Sequence, residues 1–207
     1  MDWSATVAVV AAVSAIVGVA GAIWSRRRSG QNKVKELQQH LAGIGIGATV
    51  LDTGMRHDRM TRKSPFGQQV VGTIRLAGRV IDSVNIIGVT SQYGAQYYLD
   101  FLVARPTFLG TYRKRKTGLT VKRKWGTKRE AIDNVWKGDE QLAQRLNLDY
   151  GLRDKLLKGN IGSVKGGITV YPEPKREYAR IRTSYMLPAL ELFEALDMIA
   201  RHVKSWY

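Results

Sequence analysis

The chain has 207 residues, with 33 Lys and Arg against 17 Asp and Glu, and a formal net charge of +16. It contains no cysteine, which excludes disulfides, thiolate metal sites and cysteine nucleophiles. The basic excess implies attraction to polyanions, whether lipid headgroups, nucleic acid or acidic proteins, and says nothing about fold.

Residues 3–24 read WSATVAVVAAVSAIVGVAGAIW and carry no charge. As a helix this is roughly 33 Å at ~1.5 Å per residue, enough for a hydrocarbon layer of ~30 Å. Six Val and two Ile favour insertion, and Trp3 and Trp24 suit the two interfaces. Arg26, Arg27 and Arg28 follow at once, while only Met1 and Asp2 precede. The positive-inside rule then places the N-terminus outside and the rest of the chain in the cytoplasm, a single-pass signal-anchor in the cell membrane. A cleaved signal peptide would carry its positive charge on the other flank. Ser14, Gly18 and Ala22 share one face, a spacing that allows a homodimer through the membrane helix. Residues 25–33 read as a basic juxtamembrane linker that an anionic leaflet attracts. Residues 34–207 are the right size for one domain.

Val34, Leu37 and Leu41 have helical spacing. The glycines at 43, 45 and 47 follow a helix and precede a strand-like 48–51, the wrong order for a dinucleotide fingerprint. They read as a helix end and a closely packed strand. Residues 52–66 read as an exposed basic loop holding His57 beside Asp58. Val70 to Leu76, Val80 to Val89 and Tyr97 to Val103 read as three strands joined by turns at Gly78-Arg79 and 92–94, an antiparallel meander. In the third, Tyr97, Leu99, Phe101 and Val103 alternate with Gln96, Tyr98, Asp100 and Leu102.

Residues 112–129 hold no acid. Leu119 and Val121 suggest a strand between two basic turns, Arg113, Lys114, Arg115 and Lys116 on one side and Lys122, Arg123, Lys124 and Trp125 on the other. With Arg26 to Arg28 these are the candidate polyanion or lipid contacts. Tyr112 and Trp125 could instead stack RNA bases between phosphate contacts, and a solvated basic hairpin is the third alternative.

Residues 130–159 read as short helices, capped by Asp139 and Asp149 and closed by Gly159. Residues 161–164 and 168–171 read as strands around the hairpin pair Gly166-Gly167. Tyr178 to Thr183 is a strand with Ala179 and Ile181 on one face and Arg180 and Arg182 on the other. Residues 187–206 form a long amphipathic helix with Pro188 in its first turn. Leu190, Phe193, Leu196, Ala200 and Val203 face inward, and Glu191, Glu194, Asp197, Arg201 and Lys204 face away, with Asp197 and Arg201 as an i,i+4 pair.

The run from Trp136-Lys-Gly-Asp139 through Leu142, Leu146, Leu152 and Leu156, then the strand at Ile168 and the closing helix, resembles uncharacterised prokaryotic families of small single-pass membrane-anchored proteins. The resemblance implies a terminal membrane segment ahead of an α+β domain. It implies no activity and carries no site residues. The expected fold is therefore α+β: an N-terminal transmembrane helix, then one domain with a mainly antiparallel sheet, short helices and a C-terminal amphipathic helix.

An enzyme needs convergent acids, bases, nucleophiles or a metal. His40, His57 and His202 are the three histidines, far apart in sequence, and no P-loop, nucleophile elbow or paired-carboxylate motif is present. The pattern calls for no catalytic residue, no cofactor and no metal. The expectation is a non-enzymatic interaction or scaffold module whose basic domain engages anionic lipid or an acidic protein. A membrane-tethered nucleic-acid binder and an accessory subunit of a membrane complex are the alternatives.

Overall fold

Eight antiparallel strands form one sheet in the order β1-β2-β3-β4-β8-β7-β5-β6. The computed structural model describes residues 30–51, 68–91, 94–104, 115–123, 131–173 and 177–205. The strands are β1 (Ala48–Leu51), β2 (Gln68–Leu76), β3 (Ser83–Ser91), β4 (Gly94–Ala104), β5 (Thr117–Arg123), β6 (Ala131–Lys137), β7 (Thr169–Glu173) and β8 (Tyr178–Ser184). β2 to β4 are the meander that the alternating residues imply, paired Val84 to Phe101 and Ile74 to Val84. β8 then returns beside β4, and β7 bridges to β5, so residues far apart in sequence meet at the middle of the sheet.

The helices are α1 (residues 30–43), α2 (Glu140–Leu148), α3 (Tyr150–Lys158) and α4 (Leu190–Lys204). Their apolar stripes share one core with one face of the sheet. Phe193 of α4 meets Phe101 of β4 edge to face, with ring centroids 6.3 Å apart. The Asp139 and Asp149 side chains accept from the amides of Leu142 and Leu152 and so cap α2 and α3. α3 and α4 run antiparallel, with Gly159 against Leu192 at one end and Asp149 against His202 at the other.

α1 is built into the domain. Val34, Leu37 and Leu41 are buried in the core. A Cβ at Gly30 would lie 2.0 Å from Val71 Cγ1, and one at Gly72 would lie 2.5 Å from Val34 Cγ2, so glycine at both positions lets helix and sheet approach this closely. Residues 30–33, the end of the expected linker, are thus helical and part of this packing. No helix among the described residues is long and apolar enough to cross a membrane. The expected span at 3–24, the arginines that follow it and the loop at 52–66 lie outside the described residues.

Four local expectations are corrected. Residues 131–137 form a strand, β6, rather than helix. Its buried face carries the polar Asn134 beside Trp136, opposite Val121 and Leu119 of β5, and the 55% exposed Ile132 falls at the register shift, so its own pattern is broken and pairing with β5 makes it a strand. The Asn147 side chain donates to the Trp136 carbonyl and accepts from the Trp136 amide, taking the place of a neighbouring strand at this edge. Residues 161–163 form a 3-10 turn, not a strand. Ile161 and Val164, both buried, are three apart, and a 3-10 turn puts such positions on one side.

The third correction is Asp197. It is buried, and its Oδ1 accepts from the amides of Val80 (3.1 Å) and Ile81 (3.4 Å) in the β2–β3 connection. The expected contact with Arg201 is also present, at 3.4 Å. The fourth is the start of α4. Leu190 is half exposed, and Pro188 precedes the helix, its carbonyl 2.8 Å from His40 Nε2 of α1.

Candidate interaction surfaces

The basic residues expected to act together lie at opposite ends of β5. Arg115 and Lys116 precede the strand and are exposed. Lys122 and Arg123 end it. Lys122 is six extended steps from Lys116, about 20 Å at ~3.3 Å per residue. Lys122 is exposed and reaches Asp133 Oδ2 of β6 at 3.3 Å, while Arg153 of α3 reaches Asp133 Oδ1 at 3.0 Å. The hydrogen bond from Lys122 and that from the Asn134 amide hold the Asp133 carboxyl below its usual range. Arg113, Lys114, Lys124, Trp125 and Arg26 to Arg28 lie outside the described residues.

At the Arg115 end the surface dips into a shallow, open depression of about 650 Å³. It is lined by Arg115 and Lys137 and by Glu140, Gln144, Asn147 and Leu148 of α2. Leu148 and the adjacent Tyr150 are strongly exposed. The depression is basic, of mixed polar and apolar lining, and too open to enclose a small molecule.

The face of the sheet away from the described helices carries a charged network. One cross-strand row reads Thr73, Asn85, Asp100, Arg182, Thr169. Arg182 Nε donates to Asp100 Oδ1 (2.6 Å) and Arg182 Nη2 to Asp100 Oδ2 (2.8 Å), a two-pronged pair. Arg180 divides its guanidinium between Asp100 (3.4 Å) and Glu173 (3.1 Å) and lies over the Tyr171 ring. Asp100 is 4% exposed and Asn85 2%, and Thr73 donates to Asn85 at 2.8 Å. Burial works against the Arg182 charge, but Asp100 more than offsets it and holds that group above its ordinary value. Two arginines face two carboxylates, so the network is internally neutral. It satisfies a polar sheet face and leaves no charge over for an anion.

A second cluster fixes α1. The Tyr185 hydroxyl lies 2.9 Å from Glu36 Oε2 and 3.0 Å from the Lys33 carbonyl oxygen. Burial, then the bond to Glu36, pushes this phenol well above its usual value. The Lys33 ammonium sits 4.1 Å from the centroid of the Tyr185 ring and 5.1 Å from that of Tyr97.

The one histidine–carboxylate pair among the described residues is His202 Nε2 with Asp149 Oδ2, at 2.7 Å. Burial opposes the Asp149 charge, but the bonds from His202 and the Leu152 amide outweigh it, and the carboxyl lies below its ordinary value. A lowered folded-state value gives stability that is complete above the unfolded value and lost as pH falls through the folded one. Asp149→Asn is therefore expected to flatten the loss of stability below about pH 4, read by urea unfolding at a series of pH values. An unchanged acid slope would show that Asp149 does not carry it. Among the described residues no group of three His, Asp or Glu could hold a metal ion.

No protein-family model, curated protein or solved structure matches the chain. The charged row and the Tyr97–Tyr185–Lys33 cluster were not singled out from sequence. The alternation around Asp100 and around Arg180 and Arg182 announces polar faces on two strands. Nothing in one dimension says that these strands are neighbours.

Proposed function

We propose that this is a single-pass membrane-anchored protein, N-terminus outside, whose basic domain acts at the cytoplasmic surface as a non-enzymatic interaction module for anionic lipid or an acidic protein. The observation that carries this is the uncharged stretch 3–24, bounded by Trp3 and Trp24 and followed by Arg26-Arg27-Arg28. Two features support it. The chain resumes six residues after Trp24 as a helix packed into the domain core, so a membrane span would hold the domain at the surface rather than on a long tether. Exposed Arg115, Lys116 and Lys122 offer positive charge outside the neutral network. Tethering raises the local concentration of such contacts, so weak ones suffice.

The test has two arms. The full chain in cell membranes should resist alkaline extraction, and protease should reach its domain only from the cytoplasmic side. Release by alkali, or cleavage from outside, would end the proposal. In vesicles, Arg115→Gln with Lys116→Gln and Lys122→Gln should weaken capture of an acidic peptide or anionic lipid at low salt, and the difference from the unaltered chain should shrink as salt rises and screens these contacts. Capture of RNA in preference to either would move the nucleic-acid alternative to first place.

A further inference from the structure

Charge alone does not tell which end of the domain meets a membrane, since both ends of β5 are basic. Strand direction does tell them apart. Followed from residue 43 back to residue 30, α1 passes Ala48 at Gln38, Gly72 at Val34 and Val71 at Gly30. Ala48 pairs with Leu76 at the end of β2, whereas Val71 lies toward its beginning, where Gln68 pairs with Val89. α1 therefore points, at its first described turn, to the end of the sheet that holds the start of β2 and the β3–β4 hairpin. Lys33 against Tyr97 and Tyr185 marks the same end.

The antiparallel register carries this end across the sheet. β4 begins there, so β8 finishes there, since Tyr98 pairs with Ser184. β7 then begins there at Thr169, and β5 runs past it, because Gly118 pairs with Thr169 and Leu119 donates to the Ile168 carbonyl. The end of β5 with Lys122 and the start of β6 thus project at the α1 end. Exposed Lys165 precedes β7 in the turn next to it. Arg115 and Lys116, which precede β5, lie toward the other end, and Lys137, opposite Gly118, lies in the middle row. Among the described residues on the α1 side, Asp133 is engaged by Lys122 and Arg153, and Glu36 by Tyr185.

We propose that the end of the sheet formed by the start of α1, the β3–β4 hairpin and the β5–β6 end is the face that rests on an anionic leaflet, with Lys122 and Lys165 at the headgroups and Arg115 and Lys116 turned away. This rests on the reading of 3–24 as a membrane span. Five residues join Trp24 to Gly30, and the six steps reach at most about 20 Å. β4, with 11 residues, is roughly 37 Å long at ~3.4 Å per residue. The connection is shorter than the sheet, so the α1 end stays at the interface whatever path those residues take.

The absence of cysteine allows single reporters in the full chain. A fluorophore is placed by Gln69→Cys or Ile132→Cys at the α1 end, and by Ala77→Cys or Gln144→Cys at the other, all four sites being exposed. The protein is reconstituted in phosphatidylcholine vesicles containing a headgroup nitroxide lipid, with and without phosphatidylglycerol. Because the two ends are about 20 Å apart or more, quenching at Gln69 and Ile132 should exceed that at Ala77 and Gln144 at least ~twofold. Phosphatidylglycerol should widen the difference, and Lys122→Glu with Lys165→Glu should remove that widening. Equal quenching at both ends, stronger quenching at Ala77 and Gln144, or no response to phosphatidylglycerol would overturn the proposal. Alkaline extraction of the same vesicles separates the failures. Protein that stays but shows level quenching refutes the orientation alone, and protein that leaves refutes the span as well.

Discussion

Asp100→Ala is expected to lower the free energy of unfolding by about 3–5 kcal/mol, the range for removing one partner of a buried ion pair. The Asp100 side chain is 5% exposed and those of Arg182 and Arg180 are 16% and 22% exposed, so water reaches little of the group left behind. The variant would strand the Arg182 guanidinium opposite a gap and leave Arg180 with Glu173 alone. Arg180 Nε is already buried without a hydrogen-bond partner among the described residues, so the network has no slack to absorb another loss. Denaturant unfolding of the full chain in detergent measures the change. Asp100→Leu combined with Arg182→Met should recover most of it, because apolar groups of like volume remove the unpaired charge. A single-variant loss below about 1 kcal/mol would place the pair among ordinary surface bridges.

Gly138→Ala is expected to be the second most damaging single change, at about 3 kcal/mol, combining backbone strain with overpacking. Gly138 has φ +141°, where an L side chain is strained. Its Cβ would also lie 2.2 Å from the Lys116 carbonyl oxygen and 2.6 Å from Thr117 Cα, and neither backbone atom can swing aside. The residue sits where β6 passes into α2 against the start of β5, which the Asp139 amide joins through Thr117 Oγ1 at 3.1 Å. The substitution would therefore push Arg115 and Lys116 away from Lys137. Gly43→Ala is the control, with open space around its Cβ and no positive φ, and should change stability by no more than about 0.5 kcal/mol. Equal effects at the two positions would mean that the tight contact at Gly138 relaxes at little cost.

The parts of the fold that depend on near neighbours in the chain were legible in sequence. Asp139 and Asp149 cap helices because a cap needs only the amide three residues on. β4 reads as a strand because Leu99, Phe101 and Val103 alternate with Tyr98 and Asp100, and the structure buries both faces from Leu99 to Val103. α1 reads as a helix because Val34, Leu37 and Leu41 share one stripe. β6 was missed for the complementary reason. A polar Asn134 on its buried face and an exposed Ile132 at its register shift break a buried-face pattern, and its partner β5 overrode that local signal.

Composition by itself determined that the chain is basic, free of cysteine, and opens with an uncharged stretch long enough for a membrane. Periodicity determined an α+β domain with a meander and a closing amphipathic helix. Only the tertiary structure decided that Asp197 turns inward to hold the β2–β3 connection, that Asp100 meets Arg180 and Arg182, and that the Lys122 end of β5 lies at the same end of the sheet as the start of α1. Sequence periodicity reports which side of an element is buried, because that depends on residues two to four apart. Pairing across a sheet depends on which strands become neighbours, and β4 beside β8, or β7 beside β5, brings together residues that no local spacing connects.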